Sequence, residues 1–230
     1  MHHNTKPGKK RLLAATGLAA AAALTLSACG SGSGDGGGND KAVVTDVSGG
    51  DHSQDKAVTV LDTPFEKPDL TLTDTHGKKF DLRKETDGKP TLVYFGYTHC
   101  PDVCPLTMSN IAVAKKSLPE AERSKLQVVF VSTDPDRDTP AELGKWLTAQ
   151  DPAFIGMTGD FKTTQAAARS LGISVEPTHK DKNGKLVSTH GTQVIAFSPK
   201  TDKGYLLFDK DATVETYTHD IPKILKGEKP

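Results

Sequence analysis

The run Thr91-Leu-Val-Tyr-Phe-Gly-Tyr97 leads within three residues to Cys100, and Cys104 follows directly ahead of Pro105. A short β-branched and aromatic apolar run reads as a buried strand. A proline fits the first turn of a helix, predicted here from about Pro105 to about Leu118. The chain must therefore close a core strand, a two-thiol turn and a helix into one unit. Thiolates are soft ligands that select Cu(I) or Zn(II), and they are also the nucleophiles of disulfide exchange. The turn is a candidate metal or redox site whose third group has to be sought elsewhere in the chain.

Residues 58–230 alternate strand-like and helix-like segments, the pattern of a single α/β domain. Leu70–Leu72 and Lys79–Leu82 flank the turn dipeptide His76-Gly77 and predict a small N-terminal hairpin. Gln127–Thr133 and Thr192–Phe197 read as further core strands, Tyr205–Phe208 as the hairpin partner of the latter, and a short strand is expected near Ile173–Val175. Helices are expected from Pro140 to about Ala149, over Phe161–Leu171 and over Thr213–Lys226. The sum is a central sheet with helices on both faces.

An address and a tether precede this domain. Lys6, Lys9, Lys10 and Arg11 stand before an Ala-rich apolar run from Leu12 to Ala28, short for a membrane span and laid out as an export signal. The run ends at Leu26-Ser-Ala-Cys29, which resembles the lipobox of bacterial lipoproteins. Residues 1–28 are thus read as a lipoprotein signal peptide, with Cys29 lipidated as the first residue of the mature chain; an ordinary secretory signal and an uncleaved anchor are the alternatives. Residues 29–57 are rich in Gly, Ser, Asp and Asn and bury too little apolar surface to offset the entropy of ordering. At ~5–6 Å times the square root of residue number, the stretch from Gly30 to Lys56 has an r.m.s. reach of roughly 30 Å, enough to meet partners in the same membrane. Cleavage removes four of the 29 basic residues and none of the 29 acidic ones, leaving 25 against 29 and a formal net charge of −4. Nothing in that balance suggests nucleic-acid binding.

With Cys29 assigned to lipid, Cys100 and Cys104 remain as a pair, in a compartment where disulfides persist. As a staple the pair is poor: closing a loop of about five residues stabilises by about 2 kcal/mol, against nearly 5 for a long loop. A helix N-terminus beside Cys104 lowers the thiolate pKa, and a turn after a strand leaves the sulfurs reachable. Both conditions suit a reactive or metal-binding pair.

Phe95-Gly-Tyr-Thr-His-Cys-Pro-Asp-Val-Cys-Pro105 resembles the signature of the Sco/SenC family, thioredoxin-like copper proteins of membrane-facing compartments. Val131-Ser-Thr-Asp-Pro-Asp-Arg-Asp-Thr-Pro140 resembles the family's second hallmark, and His190 before a core strand its third, all in the family's order. The resemblance implies a thioredoxin-like fold with a central mixed sheet. It also implies copper, as Cu(I) or Cu(II), held by Cys100, Cys104 and His190 and destined for the copper A centre of cytochrome c oxidase. The implied partner is the copper A subunit or another exported copper enzyme, with other copper chaperones in view, and the implied place is the extracytoplasmic face of the bacterial cell membrane. A membrane-anchored thiol-disulfide oxidoreductase that reduces a copper-receiving partner is the alternative, and the two activities could share one dithiol. Its usual motif has two residues between the cysteines, where this chain has three, and its chemistry needs no histidine. Whether the protein is an enzyme stays open; a thiol peroxidase is a more distant possibility that the fold permits.

Topology selects His190 as well. In a thioredoxin-like sheet the strand ending at the cysteines has a parallel neighbour that finishes there and an antiparallel neighbour that begins there. Gln127–Thr133 would deliver Asp134 to that end, and Thr192–Phe197 would start just after His190. Asp134 is read as either a turn-maker or a group that orients a ligand or docks a partner. Asp138 is assigned to the start of the next helix, where Thr139-Pro-Ala-Glu142 forms a capping box. His99 is adjacent to Cys100, yet successive residues point apart. His2 and His3 leave with the signal, His52 lies in the tether, and His76, His179 and His219 read as solvated.

Overall fold

The computed structural model describes residues 57–184 and 186–230. Its central strands, β4 (Thr91–Gly96) and β5 (Gln127–Ser132), are buried on both faces, and their side chains alternate between two apolar clusters. Leu92, Tyr94, Val128 and Phe130 enter one cluster. Val93, Phe95, Val129 and Val131 enter the other. This period of two requires cover on each side of the sheet. Helices α2 (Val103–Lys116), α4 (Pro140–Gln150) and α6 (Val214–Lys226) cover the first face, through Met108, Ile111, Leu143, Tyr217 and Ile221. Helix α5 (Phe161–Ser170) covers the second through Ala167 and Ala168, with Leu82 of the one-turn α1 (Leu82–Glu85) beside it. A second short helix, α3 (Glu120–Arg123), precedes β5.

Among the described residues the main sheet has eight strands, in the order β1-β10-β9-β4-β5-β6-β2-β3. Strand β4 runs parallel to β5, with Leu92 opposite Val128 and Gly96 opposite Ser132, and β5 runs parallel to β6 (Ile155–Thr158). On its other edge β4 pairs antiparallel with β9 (Val194–Phe197), which continues to β10 (Lys203–Phe208) and the edge strand β1 (Val58–Glu66). The expected N-terminal hairpin is present as β2 (Thr71–Asp74) and β3 (Lys79–Asp81), and it extends the main sheet by pairing with β6. Parallel strands flanked by an antiparallel pair, with helices on both faces, make the fold thioredoxin-like.

Several local expectations are corrected. The helix after the cysteines begins at Val103, because the Asp102 carboxylate accepts from the Val103 amide at 2.6 Å. Pro105 then occupies the third helical position, where the amide needs no intrahelical acceptor. Cys104 is thereby part of the helix. The strand expected near Ile173–Val175 lies at Val175–Lys180 (β7) and pairs only with β8 (Leu186–His190), as a two-stranded sheet apart from the main one. His190 ends that strand, and β9 starts at Val194. Strand β6 was not foreseen. Its Gly156 is required because a Cβ there would stand 2.6 Å from Leu147 and 2.7 Å from Thr75. Ala57, the last residue assigned to the tether, packs in the first apolar cluster. The signal peptide, Cys29 and the rest of the tether lie outside the described residues.

Candidate metal centre

The cysteines are set by the end of β4. Gly96 is the last residue of that strand, and a Cβ there would meet the Cys104 sulfur at 2.9 Å and the Tyr94 ring at 2.8 Å. Only glycine lets the strand end so close to the helix that carries Cys104. Beyond it, the turn is braced from β5. The buried Asp138 carboxylate accepts from the Thr98 amide at 3.1 Å, the Thr98 hydroxyl at 2.6 Å and the Ser132 hydroxyl at 2.7 Å. Asp138 is therefore not a helix-start residue: Thr139 caps α4, and Asp138 ties the cysteine turn to the parallel strand. That role had one sequence signal, a third aspartate in a block whose cap was already supplied by Thr139.

The third group arrives from the small sheet. His190 pairs with Val175 at the base of the β7–β8 hairpin. The Gly191 amide donates to the Ser174 carbonyl at 2.8 Å, and a Cβ on Gly191 would lie 2.6 Å from Ile173, so the turn out of the strand needs glycine. His190 Nδ1 lies 2.7 Å from the Gly191 carbonyl. A carbonyl only accepts, so Nδ1 carries the proton and Nε2 is left with its lone pair, 3.3 Å from Cys104 Sγ. Tyr97 and Tyr94 hold the ring edge-on, with centroids 5.3 and 5.9 Å away. The two sulfurs and one imidazole nitrogen lie within 4.8 Å of one another.

The sulfurs are unequal. Cys104 is fully buried within α2, whereas Cys100 keeps 9 % exposure at the rim. Cys100 is lowered to a pKa of about 3, chiefly because the Cys104 side chain donates to its sulfur; burial opposes this, while the Cys104 amide at 3.4 Å adds to it. The Cys104 thiol is pushed up, first by donating to Cys100 and then by burial. In the reduced protein Cys100 is the thiolate and Cys104 holds the proton. Burial likewise raises the phenols of Tyr94 and Tyr97, so both remain hydroxyl donors.

Asp134 does not reach the sulfur–imidazole group. It is 2 % exposed, paired with Arg137, and accepts from the Thr178 hydroxyl of β7 at 3.2 Å; Thr178 in turn meets the Ser188 hydroxyl of β8 at 2.5 Å. The Arg137 guanidinium lies over the Tyr97 ring. Asp134 thus links the end of β5 to the hairpin that carries His190. His99 is half exposed, against Thr98 at 3.1 Å and Asp138 at 3.8 Å, and falls outside the group. His76 and His179 are exposed, His219 is mostly exposed and pairs with Asp220 at 2.7 Å, and His52 lies outside the described residues.

Fold and site together define a thioredoxin-like protein with a compact centre of two thiols and one imidazole. Residues 59–226 match the SCO1/SenC family model, and the chain belongs to that family. A Stutzerimonas stutzeri protein named for copper binding is 30% identical over 172 residues, covering 74% of this chain and 83% of that one. Protein SenC of Rhodobacter capsulatus is 38% identical over 134 residues, 58% of this chain and 59% of its own. Bradyrhizobium japonicum ScoI, solved with copper bound, has a TM-score of 0.59 at 31% identity, over 71% of this chain and 98% of that chain.

Proposed function

We propose that this protein is a copper chaperone that carries Cu(I) or Cu(II) on Cys100, Cys104 and His190 and delivers it during assembly of the copper A centre of cytochrome c oxidase. One observation carries the reading: three donor atoms from a turn, a helix and a separate hairpin come within 4.8 Å of one another. Two sulfurs and one nitrogen fall one ligand short of a closed tetrahedral zinc site. Cu(I) accepts three ligands of this softness, and Cu(II) adds an oxygen or water. An open shell suits cargo, because an incoming ligand binds before the resident ones leave. Family membership and the copper-bound relative support the same reading, and Sco proteins are described as cytochrome c oxidase assembly proteins.

The partner is the oxidase copper A subunit or another exported copper enzyme. The chain acts at the extracytoplasmic face of the membrane, held by lipid on Cys29 after loss of residues 1–28, with residues 29–57 as a leash and 58–230 as the copper domain. Among the described residues no helix is long and apolar enough to cross a membrane. Replacing Cys29 by Ala should release the protein from the membrane fraction; retention there refutes lipidation.

A second reading is favoured by the split between the sulfurs. A rim thiolate at Cys100 beside a buried thiol at Cys104 is the arrangement of an attacking and a resolving cysteine. His190→Ala separates the two roles. We expect Cu(II) affinity to fall by more than about 100-fold, above the 10–100-fold range for residues that only support a ligand. Disulfide exchange with a dithiol substrate should stay within a few-fold of wild type. Unchanged affinity for both copper oxidation states would remove His190 from the ligand set.

A further inference from the structure

Tyr94 stands on β4 two residues before Gly96, with no exposure to solvent. Its hydroxyl donates to the Cys104 sulfur at 3.5 Å. Thr107, buried one turn further along α2, acts on the phenol's pKa in the opposite sense to the Cys104 sulfur. In a site closed to water the Tyr94 hydroxyl has no solvent to turn to when the sulfur ceases to accept.

We infer that Tyr94 is a positioning residue for Cys104: its hydroxyl holds that sulfur in the reduced form and so keeps the dithiol ready to receive metal. A thiol or thiolate sulfur is a better acceptor than a sulfur committed to an S–S bond. The hydroxyl thus stabilises the reduced state relative to the oxidised one. It also separates the roles of the sulfurs, with Cys104 hydrogen-bonded in the core and Cys100 free to exchange at the rim. Only the copper arm of the following test rests on the chaperone reading.

The test equilibrates full-length wild type, Tyr94→Phe and Thr107→Val with reduced and oxidised glutathione, then traps free thiols by alkylation. In this equilibrium the Cys100 thiolate and the Cys104 thiol give up two electrons and one proton as their S–S bond forms; glutathione disulfide takes the two electrons as its S–S bond breaks, and its two thiols form with that proton and one from water. Tyr94→Phe should raise the oxidation constant about 3–10-fold, which is ~15–30 mV more negative at 29.6 mV per tenfold. Thr107→Val should move it the same way by less. A residue that only fills space would lower the melting temperatures of the reduced and oxidised forms together and leave their ratio unchanged. In the Cu(II) complex, loss of the hydrogen bond raises the sulfur donor level, so the sulfur-to-copper charge-transfer band should move to longer wavelength. An oxidation constant within about twofold of wild type in both variants, smaller than loss of one hydrogen bond predicts, overturns the inference. A shifted constant with copper bound by neither wild type nor variant upholds Tyr94 and refutes the chaperone reading instead.

Discussion

The centre is assembled from two regions built on different terms. Cys100 and Cys104 come from the turn between β4 and α2, which is wired into the main sheet: Gly96 packs against the sulfur of Cys104, the Thr133 amide donates to the Gly96 carbonyl at 2.7 Å, and Asp138 holds Thr98. His190 comes from a two-stranded sheet that shares no strand pairing with the main one. An isolated hairpin is marginal by itself, so its position depends on side-chain ties. Asp134, Thr178 and Ser188 supply them. The sulfurs are therefore preorganised by the core, and the imidazole is the ligand whose position responds to local changes. For a carrier this division is useful, since the ligand that leaves first belongs on the element that opens at least cost to the fold.

The comparison breaks most directly at the sulfurs. Cys104→Ser keeps the shape and replaces a soft donor by a hard one. Copper affinity should fall by more than about 100-fold, beyond what loss of any supporting residue produces; a smaller loss, measured by competition with a chromophoric chelator, would mean that Cys104 is not a ligand. Next comes Asp138→Ala, which leaves the Thr98 and Ser132 donors without their acceptor in the interior. Denaturant unfolding should show a loss of about 2–4 kcal/mol, with copper affinity down about 10–100-fold. A neutral result would show that the cysteine turn is fixed by packing alone.

Asp134→Ala tests the other region. Arg137 is partly exposed and turns to solvent when its partner is lost, so the global cost should be smaller, about 1–2 kcal/mol. Its signature is local: amide protection should fall across Val175–Lys180 and Leu186–His190 and hold in Thr91–Gly96, and copper should dissociate faster. Equal loss of protection in both regions would erase the distinction between them.

Much of this division was legible before the structure. The core strand, the thiol turn and the α/β class follow from apolar runs and soft ligands, which are local signals, and His190 was legible through the family resemblance and the topology of a thioredoxin-like sheet. The route by which His190 arrives was not. Strands β7 and β8 carry mostly polar residues, including Glu176, His179 and Lys180, and hairpins outside the core lack an apolar pattern to announce them. Strand β1 carries Val58, Val60, Leu61 and Phe65 yet is a mostly exposed edge, and β6 hid because Gly156 answers to its neighbours across space. The roles of Asp134 and Asp138 depend on which donors face them, and Thr178 and Thr98 stand 44 and 40 residues away.

A smaller effect concerns pH. Cys100 has its pKa lowered to about 3, so it is a thiolate throughout the ordinary range. Its alkylation rate in the reduced protein should vary less than about threefold between pH 5 and 8, where a free thiol of pKa about 8.5 would slow by nearly a thousandfold. The linkage has a definite sign. Because the folded pKa lies below the unfolded one, the contribution of Cys100 to stability is complete above about pH 8.5, declines as pH falls, and is gone below about pH 3. A rate that drops tenfold per unit below pH 8 would place the proton on Cys100 and invert the assignment of the two sulfurs.

The smallest effect is expected where the sequence offers the most tempting residue. His99 adjoins Cys100, yet its ring is 52 % exposed and rests against Thr98 and Asp138. Its contact with the buried Asp138 carboxylate is at 3.8 Å, longer than the three hydrogen bonds that carboxylate already accepts, so a half-exposed imidazole adds about 0–1 kcal/mol at most. His99→Ala should therefore change copper affinity less than about fivefold and leave the hairpin amides as protected as before. A loss comparable to that of His190→Ala would give the cysteine turn an imidazole ligand of its own, and the division between a core that holds the sulfurs and an appendage that holds the nitrogen would no longer describe this site.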